Sequence, residues 1–180
     1  MPSPREAVET YIRAKDENRP YLMERAFAQD VALEMIVESG TISFPPISSG
    51  FESVCDVLVR RFGQTYENVY TLCLASPPKE HQYTFSCDWL VGMSEKESRA
   101  VRVGCGRYDW LFQPDAPYLV SKLTITIEQM QSLAPMRLAS VMRWLGQLPY
   151  PWCTPQDATR SMPVWDELQP IGRRIVREPA

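Results

Sequence analysis

The chain has 180 residues, a formal charge of −3 from 19 basic and 22 acidic residues, and is 44% hydrophobic and 23% charged. That is the size of one domain, or of one domain with an appendage, and long enough to bury a core without disulfides or metal. The mild acidity argues against a nucleic-acid partner. No apolar run reaches the length of a membrane span, and the polar start MPSPREAVETYI lacks the apolar stretch of a secretory signal, so the expectation is a soluble, cytoplasmic protein.

The first helix is announced by Ser3 as cap, Pro4 in the first turn and Glu6 three residues after the cap. Ala7, Val8, Tyr11 and Ile12 then fall on one apolar face, with Lys15 continuing the spacing. A second helix is expected from Asn18 and Pro20 through Phe27, followed by a strand over Val31 to Val37. Residues 38–50 are turn-rich. Ser49 and Glu52 read as a second capping box, opening a helix that holds Phe51, Val54, Cys55, Leu58, Val59 and Phe62 and that Gly63 should end.

Beyond Gly63 the apolar period changes from about 3.6 to 2. Four strands follow: Val69–Ala75; a strand alternating Tyr83, Phe85, Cys87, Trp89 and Val91 with Thr84, Ser86 and Asp88; Ala100–Phe112; and one alternating Leu119, Ser121, Leu123, Ile125 and Ile127 with polar residues. Gly104 and Gly106 predict a bulge or bend in the third of these. The order predicts an α+β fold, a cone-shaped curved antiparallel sheet covered by three N-terminal helices, with a pocket beneath the helices.

Residues 1–129 form this cone domain, and residues 130–180 differ in composition, with 7 of the 16 prolines. They read as a helical extension packed on the domain or on a partner subunit. One helix over Pro135–Leu145 carries Met136, Val141, Trp144 and Leu145, and a weaker helical patch lies around Val164–Leu168. Arg173, Arg174 and Arg177 read as a solvated end. The cysteines Cys55, Cys73, Cys87, Cys105 and Cys153 are odd in number and without a C-x-x-C pair, unlike a zinc site, and Cys73, Cys87 and Cys105, each in an apolar stretch, read as buried, reduced fillers. A single histidine, His81, leaves little for metal or triad chemistry.

TYIRA, AFAQDVALEM, SSGFESV, and GRYDWLF followed by LVSKLTITIE, in this order over about residues 4–129, resemble the SnoaL-like group of the nuclear-transport-factor-like superfamily. That superfamily also holds ketosteroid isomerases and scytalone dehydratase. The resemblance implies a cone with an internal pocket and a homodimer formed through the outer sheet face. Laid against ketosteroid isomerase, Tyr11 falls on the tyrosine of the first helix, Asp109 on the protonated aspartic acid, and Met35 on the aspartate base. Methionine cannot accept a proton, so steroid-type transfer through this position is lost. Neighbouring Glu34 would reach the pocket only by a one-residue register change.

The candidate catalytic residues are therefore Asp109, as acid or base if it points inward, and Tyr11, as donor to a developing oxyanion. Pointing outward, Asp109 would simply pair with Arg107 or Lys122. Met35, Tyr83, Trp89 and Trp110 are candidate ligand-binding residues, or plain core. Asp88 should face solvent or a dimer contact. Two functions compete: a small-molecule protein with an apolar pocket, acting as a cofactor-free isomerase, dehydratase or cyclase, or a non-catalytic ligand-binding or assembly module that has lost its base. A subunit of a larger oxygenase is a third and weaker reading.

Overall fold

The computed structural model describes residues 2–177. Ser3 caps α1 (Pro4–Asp16) as the sequence predicts: its hydroxyl accepts the Glu6 N–H at 3.3 Å, and its own N–H donates to the Glu6 carboxylate at 2.8 Å. A 3-10 turn (Pro20–Arg25) stands where a second helix was expected. Asn18 adopts a positive φ of 51°, which asparagine tolerates, so it ends α1 and does not cap a new helix. The strand expected from Val31 begins earlier, as β1 (Phe27–Val37), and a short edge strand, β2 (Ile47–Ser49), pairs with it.

The next helical stretch comprises α2 (Phe51–Cys55), a π-helical turn (Asp56–Arg60) and α3 (Arg61–Thr65). Ser49 does not cap it, because Ser49 is committed to pairing with Ala32 in the sheet. The cap position is Gly50, at a φ of 86° that favours glycine. Gly63 does not end the stretch either. A Cβ there would stand 2.6 Å from the Asn18 side chain, so glycine permits this close approach.

The sheet runs on through β3 (Tyr66–Cys73), β4 (Thr84–Glu95), β5 (Val101–Phe112) and β6 (Val120–Leu133), in the order β2-β1-β6-β5-β4-β3. All neighbours are antiparallel except β1 and β6, which run parallel. The α+β architecture with a curved, unclosed sheet is thus as the sequence predicts. The bulge foreseen at Gly104 and Gly106 falls between Cys105 and Gly106, but the extra residue belongs to the partner strand: Cys105 pairs with Gln129 and Gly106 with Ile127, leaving Glu128 unmatched on β6. Strand β5 therefore keeps one phase throughout. Tyr108, Trp110 and Phe112 face the helices, and Arg107, Asp109 and Leu111 face away.

The sheet carries a core on each side. The inner one joins α1 and the 51–65 helices to Leu33, Met35, Phe85, Trp89, Tyr108, Trp110 and their neighbours. The outer one covers β3, β4 and β5 with the C-terminal segment, through α4 (Leu138–Gly146), α5 (Pro155–Arg160) and α6 (Gln169–Ile175). Each fully buried Leu or Ile contributes about 1.5–3 kcal/mol. Leu145 of α4 lies so close to the sheet that a Cβ on Gly92 would come within 2.2 Å of it. Trp144 donates its indole N–H to the Ala158 carbonyl at 2.8 Å, locking α4 to α5.

Three expectations about this region change. Arg174 is no solvated end: it forks onto Asp88 at 3.0 and 3.1 Å and also meets Glu128, so Asp88 is covered too. Met136 precedes α4 and is 86% exposed, because the helical turn around it is 3-10 and turns it outward. The outer sheet face expected to receive a second copy is, over β3 to β5, already occupied by the chain's own segment. What stays open around Asp109, Thr124 and Glu34 is mixed, with Ile36 and Ile47 exposed among the polar side chains. Among the described residues no helix is long and apolar enough to cross a membrane.

Candidate functional site

Between the helices and the inner face of the curved sheet lies a partly open cavity of about 50 Å³. Its wall is almost wholly apolar, with Met35, Val57, Phe62, Val91, Ile125 and Met130 among its residues. Four of its lining side chains carry a polar group: Tyr11, Lys15, Trp89 and Tyr108. All four can donate hydrogen bonds. Among the lining residues there is no carboxylate, histidine or thiol.

Tyr11 comes from the buried face of α1 and is 1% exposed. Its ring meets Phe27, Trp110 and Tyr108 edge-on, with centroids 5.6, 5.5 and 6.2 Å away, which holds the phenol rigidly. The Tyr108 hydroxyl lies beside that of Tyr11. Burial pushes both phenols well above their ordinary range, so both stay neutral donors at any physiological pH. The Trp89 indole N–H, on the same wall, has no hydrogen-bond partner among the described residues, and neither has that of Trp110 behind it.

Lys15, one turn after Tyr11, ends beside the cavity with its Nζ 4.8 Å above the Phe62 ring. It donates to Thr71 and, at 3.1 Å, to Asp16. Asp16 also accepts the Thr71 N–H at 2.7 Å, the Thr71 hydroxyl at 2.8 Å and the Tyr150 hydroxyl at 2.8 Å. The Lys15 and Asp16 side chains are 7% and 3% exposed. The Lys15 charge at the wall is thus compensated by Asp16 just behind it.

The sequence candidates separate cleanly. Tyr11, Met35 and Trp89 lie together on the cavity wall. Trp110 is buried one layer behind, packed on Tyr11 and Tyr108, and does not reach the cavity. Tyr83 precedes β4 at the rim and is 52% exposed, so its inward placement is overturned. So is that of Asp109: strand phase turns it to the outer face, where Arg107 holds it at 3.0 Å and Ser86 donates to it at 2.5 Å. Glu34 also faces out, 3.6 Å from Lys122. His81 is exposed, with Nδ1 3.0 Å from the Tyr118 hydroxyl. Sequence reasoning missed Lys15, Tyr108 and the Asp16–Thr71 anchor. Lys15 and Tyr108 share the phase of Tyr11 and of Trp110 respectively, which was the available signal.

No family model matches the chain, and no curated protein matches it. Solved structures do. A nuclear transport factor 2-like superfamily protein from Salmonella enterica serovar Typhimurium superposes with a TM-score of 0.55 at 16% identity, over 69% of this chain and 88% of that one. A type 2 hexachlorocyclohexane dehydrochlorinase, LinA, gives 0.56 at 14% identity, over 71% and 84%. A ketosteroid isomerase-like protein from Erwinia carotovora atroseptica gives 0.53 at 11% identity, over 71% and 95%. The fold is therefore that of the nuclear-transport-factor-2-like superfamily. Identity this low fixes the fold alone, and that fold serves several chemistries.

Proposed function

We propose that this chain binds a small, uncharged, largely apolar molecule bearing a hydrogen-bond-accepting oxygen. The observation that carries this is a partly open, apolar cavity in which each of the four polar lining side chains can donate a hydrogen bond. A Trp89 N–H left without an acceptor costs about 1–3 kcal/mol, which an oxygen of a bound molecule would offset. The balance between Lys15 and Asp16 disfavours a charged guest, which would sit uncompensated in an apolar enclosure. Native mass spectrometry before and after denaturation tests the reading. A co-purified neutral molecule that Tyr11→Phe and Trp89→Phe release supports it. A molecule retained equally by both variants counts against it.

A cofactor-free isomerase or lyase is the second reading, favoured by the paired hydroxyls of Tyr11 and Tyr108. One donor aimed at a developing oxyanion contributes roughly 2.7–4 kcal/mol. Enzymes lower barriers by about 8 kcal/mol or more, and no lining carboxylate or histidine stands ready to take a proton. The binding module is therefore preferred. We infer a cytoplasmic setting, which the five free, buried cysteines support.

A further inference from the structure

The inner cavity has a neighbour. A second pocket of about 220 Å³ lies outside it, and the two share Phe44, Val57 and Phe62 as a common wall. The outer pocket is more polar, adding Ser43, Arg61, Thr65 and Tyr66. By itself the inner cavity is far below the roughly 300 Å³ at which small-molecule pockets begin. Joined, the two come close to that size.

The partition is built from deformable pieces. Phe44 sits on the span 38–46, which is tethered at its ends. Thr41 donates to the Met130 carbonyl at 2.8 Å and its own carbonyl accepts from Arg102, while the Pro46 carbonyl accepts from Met35 at 2.8 Å. Between these ties the backbone of residues 42–45 makes no hydrogen bond among the described residues, and Ile42 and Phe44 turn inward while Ser43 and Pro45 are exposed. Val57 stands on the π-helical turn, a local irregularity that recurs at functional sites.

We propose that Phe44 is a gate between two chambers of one site, and that the ligand is an elongated amphiphile. Its oxygen-bearing end occupies the inner cavity beside Tyr11 and Trp89, an alkyl stretch passes Phe44, and a second uncharged polar group lies outside among Ser43, Thr65 and Tyr66. Arg61 is already paired with Asp56 at 2.6 Å and so does not select an anion. This rests on the binding function proposed above and adds the shape and polarity of the ligand.

The test uses straight-chain alkanols of four to ten carbons with a hydroxyl at each end, with binding read by calorimetry and association by stopped-flow tryptophan fluorescence. Affinity should rise roughly fourfold per added methylene beyond the length the inner cavity holds. Phe44→Ala should speed association at least tenfold while the thermal midpoint shows the fold intact. Thr65→Trp, at an exposed helix end, should fill the outer chamber and abolish binding of the long alkanols but not the short ones. Short alkanols binding with an early plateau, or rates indifferent to Phe44→Ala, would overturn the two-chamber site and leave the cavity reading standing. No binding by any alkanol would overturn both.

Discussion

Tyr11 and Lys15 stand one turn apart on α1 and bring a phenol and an ammonium to the same cavity wall. The phenol is held by aromatic packing and Tyr108, the ammonium by Asp16 and Thr71. Tyr11→Phe should keep the fold and weaken ligand retention about three- to tenfold, the worth of one net hydrogen bond. Competition binding with the co-purified molecule checks this.

Lys15→Met should behave differently. It leaves the Asp16 carboxylate buried without its cation, so a loss of about 3–5 kcal/mol is expected in urea unfolding. Pairing it with Asp16→Asn should recover part of that loss, because the stranded charge is gone. If the double variant is as unstable as the sum of the single ones, the two side chains are not coupled.

Asp109→Asn changes an exposed carboxylate on the far side of the sheet from the cavity. Stability should stay within about 0.5 kcal/mol of the parent and ligand retention should not change. Loss of the ligand in a folded Asp109→Asn protein would return this residue to the site.

Buried thiols give a pH dependence. Burial pushes Cys105 up to about 12 and Cys153 up to about 11, from an ordinary 9.0. Unfolded thiols release protons first, so stability from the neutral folded thiols is whole below pH 9 and is lost as pH rises from there through 11 to 12. Buried tyrosines act in the same sense. The diagnostic measurement is therefore the difference between the parent and Cys105→Ala in urea melts at pH 8 and pH 10.5. That difference should shrink at the higher pH, and a constant one would contradict the assignment.

Removing residues 134–180 should uncover Leu72, Leu90, Val103 and Cys105 on the outer face. The truncated chain should self-associate, seen by light scattering, whereas the parent should show no such concentration dependence. A truncated chain that stays monomeric and folded would mean this outer layer is dispensable.

Much of the fold was legible where one physical signal acted alone. The Ser3–Glu6 box and the alternation of β4 from Phe85 to Val91 involve only near neighbours, and both stand as read. Ser49 misled because a tertiary commitment, pairing with Ala32, outweighed a local capping preference. Asp109 was uncertain because two glycines announce a bulge without saying which strand receives the extra residue. The answer, Glu128 on β6, depends on pairing between segments about 20 residues apart. Lys15 was passed over because its long apolar stem lets a charged residue occupy a buried helix face. The extension's destination was open because its apolar residues fit a foreign surface as well as this one.

That unmatched Glu128 makes β6 change sides partway along. Before it, Ile125 and Ile127 serve the cavity, and beyond it Leu133 joins the layer under α4. One strand is thus a member of two cores, so neither can loosen without tugging on the other. A guest that stiffens the interior would thereby firm up the tail on the opposite side of the sheet, and the two layers would melt as one.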